Sequence, residues 1–167
     1  MASGMRMLLL LLPAAVALAS GALAQTRGFV WTGEDTPAPV LRFGAPGGSG
    51  QAFRISCDAS GTRLVVFTRG IPRSLPADSQ TFETRLKLFL GRTEFSLGGL
   101  GSRTEDGDSR VEALLPEPTG PLFEAMARQG RLTVVHFAGR TKAPAPEADM
   151  VARFRAACPP VPAVAAG

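Results

Sequence analysis

Asparagine and tyrosine are absent from the 167 residues, isoleucine occurs only at positions 55 and 71, and lysine only at 87 and 142. Histidine is confined to His136, and cysteine to Cys57 and Cys158. One histidine cannot supply a paired-imidazole centre, and two distant cysteines exclude a CxxC redox or zinc motif. There is also no G-x-S-x-G nucleophile elbow, no helical HExxH pair and no dinucleotide-binding fingerprint. No metal ligands, catalytic residues or cofactor follow from the motifs.

Scarce Asn, Tyr, Lys and Ile beside abundant Ala, Gly, Pro and Arg mark a GC-rich genome. The net charge of +4 and the pI near 10 are therefore discounted as a sign of polyanion binding. The arginines are scattered singly, without the run or aromatic-interleaved stripe that nucleic-acid binding requires. Length points to one domain, and 45% apolar with 19% charged residues excludes a disordered polyampholyte.

What is present begins with an export signal. Arg6 precedes an apolar run from Leu8 to Ala19, and Ala22-Leu23-Ala24 supplies an A-x-A site. Residues 1–24 read as a signal peptide cleaved between Ala24 and Gln25, and Met5 and Met7 serve as alternative starts. A membrane anchor is the competing reading. A spanning helix needs about 20 apolar residues, and this run is interrupted by Pro13, Ser20 and Gly21. No cysteine follows the run until Cys57, which excludes a lipidated N-terminal cysteine, so no stable anchor is expected after cleavage. In the oxidising compartment that export implies, a Cys57–Cys158 disulfide is the simplest state, with two buried thiols as the alternative. Closing a loop of about 100 residues restricts the unfolded chain by up to ~4.7 kcal/mol in the entropy model.

Residues 25–50 read as an extended leading segment. It holds Trp31 as a plug for the edge of the core, a short strand at 40–44, and a glycine loop from Gly44 to Gly50 that lacks the Lys-Ser/Thr pair of a phosphate loop. A single β-rich domain follows over 51–158. Phe53, Ile55 and Cys57 alternate with polar residues in one strand, and residues 62–68 are apolar on both faces, the mark of a central strand. Residues 83–91 and 93–99 form a second hairpin turning at Gly91-Arg92, and 109–115 alternate again. Glu105, Asp106 and Asp108 read as a solvated turn, because the spacing of a calcium loop is missing. Thr119, Pro121 and Gly130 delimit a short helix, and residues 131–139 form the last strand, with His136 as a packed residue rather than a general base. A proline-punctuated linker leads to a closing helix over 148–158, and 159–167 read as a disordered tail.

The fold class is therefore α+β: a mainly antiparallel sheet or open sandwich of about six or seven strands with two short helices on one side, the C-terminal one tied to the sheet by the disulfide. A strand ending ISC, the segment LFEAMARQGRLTVV and a terminal helix ending FRAAC together make residues 50–158 resemble small periplasmic proteins of Gram-negative bacteria. The similarity is closest to accessory proteins associated with type VI secretion and weaker to the invasion-associated locus B group, whose additional cysteines are missing. It implies a β-rich exported domain with a stapled closing helix and brings no active residue.

Three functions compete. The first is a non-catalytic binding or accessory protein of the envelope, periplasmic or secreted, whose partner is an envelope protein or cell-wall component. The second is an inhibitor of a secreted hydrolase, against which a cationic lysozyme target is disfavoured by like charge. The third is a carboxylate-dependent envelope hydrolase using Glu83 and Glu94 on neighbouring strands.

Overall fold

A strand whose side chains alternate between apolar and polar must bury one face, and this chain supplies such strands in succession with few crossover helices. The computed structural model describes residues 28–159 apart from 36, 37, 49 and 118. The strands are β1 (Val30–Glu34), β2 (Val40–Gly44), β3 (Gln51–Asp58), β4 (Gly61–Thr68), β5 (Thr81–Leu90), β6 (Thr93–Arg103) and β7 (Ser109–Leu114). After them come α1 (Gly120–Gln129), β8 (Arg131–His136), β9 (Gly139–Pro144) and α2 (Ala148–Ala157). All pairings are antiparallel, and one sheet results, in the order β1-β2-β3-β4-β7-β6-β5-β8-β9.

The sheet is strongly curled. Laid flat, its two edge strands would lie about 38 Å apart, eight spacings of about 4.8 Å. Instead the Trp31 indole N–H on β1 donates to the Pro144 carbonyl at the end of β9 at 2.8 Å. Such a contact requires the sheet to roll into a half-barrel, the shape that accumulated strand twist favours.

Inside the curl lies one apolar core. Leu41, Phe43, Phe53, Ile55, Leu64, Val66, Leu86, Leu88, Val111 and Val134 project into it from six strands. Both helices fill the concave side. Alpha-helix α1 contributes Leu122, Phe123 and Met126, and α2 contributes Phe154, whose ring meets Phe123 at 5.9 Å. Pro121 occupies the first turn of α1, where its missing N–H costs nothing, and Gly130 ends the helix at φ 64°, which a side chain would strain. Cys57 on β3 is bonded to Cys158 just beyond α2, with the Cα atoms 5.6 Å apart, so the closing helix is fixed to the sheet at its far end.

Within β6 the core leaves no room for a side chain at Gly101. A Cβ there would lie 2.2 Å from the ring of Phe82, its cross-strand partner on β5. Phe82 thus lies across the glycine and meets Phe137 edge-on at 5.4 Å, an aromatic–glycine pairing that holds register.

One expectation is corrected. Among the described residues there are nine strands rather than six or seven, because the leading segment supplies β1 as well as β2, and the stretch after residue 139 contains β9. Both extra strands are edges, where solvent replaces one neighbour. Their sequences, VWTGE and GRTKAP, carry the charges and proline that suit an edge and hide the strand period. Of the two expected arrangements, a sheet or an open sandwich, the protein has the sheet, which curls around two helices. Strand β4 is central, flanked by β3 and β7, as its two apolar faces predicted. The segments expected as signal peptide (1–24), with the cleavage position Ala24/Gln25, and the tail from residue 160 lie outside the described residues.

Candidate functional site

Between α1 and the sheet, the described residues leave only a small void. It has a volume of about 10 Å³ and is walled by Ile55, Leu64, Leu88, Leu115, Leu122, Met126 and Leu132. That is about the room of one water-sized probe, in a lining without polar atoms to hold water. This void admits no molecule larger than water.

The two sequence-predicted carboxylates are not brought together. Glu83 stands opposite Leu100 and Glu94 opposite Phe89, six residues further along β5. At about 3.4 Å per residue this separates them by roughly 20 Å, far beyond the 5–9.5 Å spanned by glycosidase carboxylate pairs. Glu94 is held instead by Lys87 at 2.8 Å. The adjacency inferred from neighbouring strands fails because the pair sits near opposite ends of one hairpin.

His136 ends β8. Its Nε2 lies 3.4 Å from the Thr141 hydroxyl, its ring meets Phe137, and its Nδ1 is buried without a partner among the described residues. Burial lowers its pKa below the ordinary histidine value, so the ring is neutral at pH 7. A general base of the triad type is oriented by a carboxylate; this ring's partner is a threonine.

The acidic turn between β6 and β7 is tied to its own loops. Thr104 donates its hydroxyl to Asp106, and this bond, foremost, holds the Asp106 carboxyl below the usual carboxylate range. Asp108 accepts from the Gly70 N–H at 3.2 Å. No group of three metal-ligating side chains occurs among the described residues. In the glycine loop, Ala45 N–H donates to the Gly50 carbonyl at 2.8 Å and a short 3-10 turn spans Pro46–Gly48, so the loop closes on itself and leads into a strand. Cys57 and Cys158 are the sequence-predicted pair that the fold unites, and as a disulfide neither sulfur is a nucleophile or ligand.

The outer surface of the sheet is uneven in charge. Over β1–β4 and β7 it is laced by ion pairs: Arg42 with Glu34, and Arg63 with both Asp58 at 2.7 Å and Glu112 at 3.2 Å. Leu100 and Leu114 stand on this face more than half exposed. At the other end, β8 and β9 contain no carboxylate, and Arg131, Arg140 and Lys142 are all exposed. None of the three has an acidic partner among the described residues. The antiparallel ladder places Arg131, Lys142 and Arg140 on one face, with Lys87 of β5 opposite Val135. This cationic edge was missed because the strand holding Arg131 reads as the last and Lys142 as part of a linker; the alternation of Arg140, Thr141, Lys142 and Ala143 was the available signal.

No helix among the described residues is long and apolar enough to cross a membrane. Compared with protein-family models, curated proteins and solved structures, the chain finds no match.

Proposed function

We propose that the protein is an exported binding or accessory module of the bacterial envelope that works through the surface of its sheet and not through a catalytic cleft. The observation that carries this reading is the filled interior among the described residues: α1 closes on the sheet around a void of about 10 Å³, and α2 adds Phe154 to the same core. The chemistry-bearing side chains are dispersed, with Glu83 and Glu94 near opposite ends of a hairpin and His136 against a threonine. A disulfide joining Cys57 to Cys158 fits a compartment outside the reducing cytosol. The apolar run and A-x-A site of residues 1–24 give the same direction of travel, as does the resemblance to small periplasmic accessory proteins.

The test is purification from periplasmic extract after mild crosslinking. The reading expects at least one envelope protein or cell-wall component recovered in stoichiometric amount. Recovery of the protein alone, with crosslinking efficiency verified on a known periplasmic complex, overturns it.

A further inference from the structure

From the geometry of the sheet edge we infer that β9 is a docking site for an extended, acidic segment of another protein, added as a tenth strand. This rests on the reading of the protein as a binding module and names the chemistry of its partner. His136 and Gly139 pair across the two-residue turn Phe137-Ala138. The pair closing such a turn exchanges both of its backbone bonds, and antiparallel alternation then makes Val134–Thr141 and Leu132–Ala143 bonded pairs too. Gly139, Thr141 and Ala143 thus direct their backbone groups to β8, and Arg140, Lys142 and Pro144 direct theirs outward.

Pro144 closes one end of that free edge. It has no N–H, and its carbonyl already accepts the Trp31 indole. Outside the β8–β9 ladder, whose register turns the N–H and C=O groups of Arg140 and Lys142 away from β8, neither residue makes a hydrogen bond among the described residues. Two open donor–acceptor pairs at about 6.8 Å spacing match residues i and i+2 of an incoming strand.

Charge selects the occupant. The side chains of Arg140 and Lys142 share the outer face with Arg131, and neither β8 nor β9 carries a carboxylate. A strand with Glu or Asp at alternate positions places its acids beside these cations. A second copy pairing β9 with β9 instead sets Arg and Lys against one another, which cross-strand pairing disfavours. A polyanion without a peptide backbone uses the charges and leaves the open N–H and C=O groups unpaired.

The experiment is amide hydrogen exchange on the intact oxidised protein, with a synthetic hexapeptide alternating Glu and Val as the probe at millimolar concentration. In the free protein the amides of Arg140 and Lys142 exchange rapidly and those of Thr141 and Ala143 slowly. The acidic peptide slows Arg140 and Lys142 at least tenfold, and a peptide alternating Lys and Val does not. Lys142→Gln weakens binding about 2- to 5-fold, the range of one exposed ion pair. Lys142→Pro, which also removes the donor, abolishes it; should that variant not fold, Arg140→Glu serves and reverses the preference between the two peptides.

Protection of Arg140 and Lys142 in the free protein, meaning an edge already covered by this chain or by a second copy, overturns the inference. So does a lack of protection by the acidic peptide, or equal binding by its N-methylated form or by polyphosphate. An envelope partner that co-purifies while leaving these amides unprotected removes the β9 site and keeps the accessory reading. Absence of any partner removes the accessory reading, whatever the peptide does.

Discussion

Replacing Gly101 with alanine is expected to cost about 1.5–3 kcal/mol, and the cost is expected to vanish when Phe82 is removed first. The added Cβ would lie 2.2, 2.3 and 2.7 Å from three atoms of the Phe82 ring. A contact that short cannot be relieved by a few tenths of an ångström, because the ring is 6% exposed and also meets Phe137. Either the ring leaves the core, forfeiting about 1.5–3 kcal/mol of aromatic burial, or β5 and β6 separate, at the similar cost of overpacking. Urea unfolding of the oxidised protein measures this as a lower midpoint with unchanged slope, and thermal unfolding as a fall of about 3–5 °C per kcal/mol. Phe82→Ala is itself destabilising by about 3–5 kcal/mol, so the informative quantity is the coupling in the double-mutant cycle. With Phe82 gone, Gly101→Ala is expected to be neutral or stabilising, since alanine loses less chain entropy than glycine in a strand. An equal cost of Gly101→Ala in both backgrounds would refute the reasoning, because the penalty would then have nothing to do with the ring.

The remaining predictions concern the closing helix and the histidine. Phe154→Ala empties a site 1% exposed between the sheet and Phe123 and is expected to cost about 3–5 kcal/mol in urea unfolding. Reducing Cys57–Cys158 frees a loop of 101 residues and should lower stability by about 2–5 kcal/mol, read as a dithiothreitol-dependent midpoint absent from the Cys57→Ala, Cys158→Ala double variant. For His136 the folded pKa lies below the unfolded value near 6.5, so the unfolded chain binds the proton more readily. Its contribution to stability is complete above about pH 6.5 and is lost as pH falls through the folded pKa. Urea midpoints between pH 5 and 8 should decline toward acid in the parent and decline less in His136→Leu.

Much of this architecture was legible where burial imposes a period on the chain. Phe53, Ile55 and Cys57 mark β3, the doubly apolar run 62–68 marks β4 as central, and Thr119, Pro121 and Gly130 bound α1 as observed. The pairing of Cys57 with Cys158 was legible from compartment and count alone. Hidden were the features that depend on neighbours distant in the chain. Strand β1 shows no apolar alternation because its two inward positions are Trp31 and the side-chain-less Gly33, and β9 ends in a proline that reads as a linker. The insertion of the β5–β6 hairpin between β7 and β8 leaves no local mark either. For the candidate site, the separation of Glu83 from Glu94 follows from hairpin register, which the turn at Gly91-Arg92 already implied. The open edge at Arg140 and Lys142 required knowing that β9 pairs only with β8 among the described residues.

The claim on which the account turns is that the protein matures outside the cytosol. Intact-mass analysis of protein recovered from periplasmic extract, with and without alkylation, tests it most directly. The account predicts a chain beginning at Gln25, two hydrogens lighter than its fully reduced mass and unreactive to alkylation until reduced. A cytosolic chain that retains its first residues and alkylates at both Cys57 and Cys158 would contradict it.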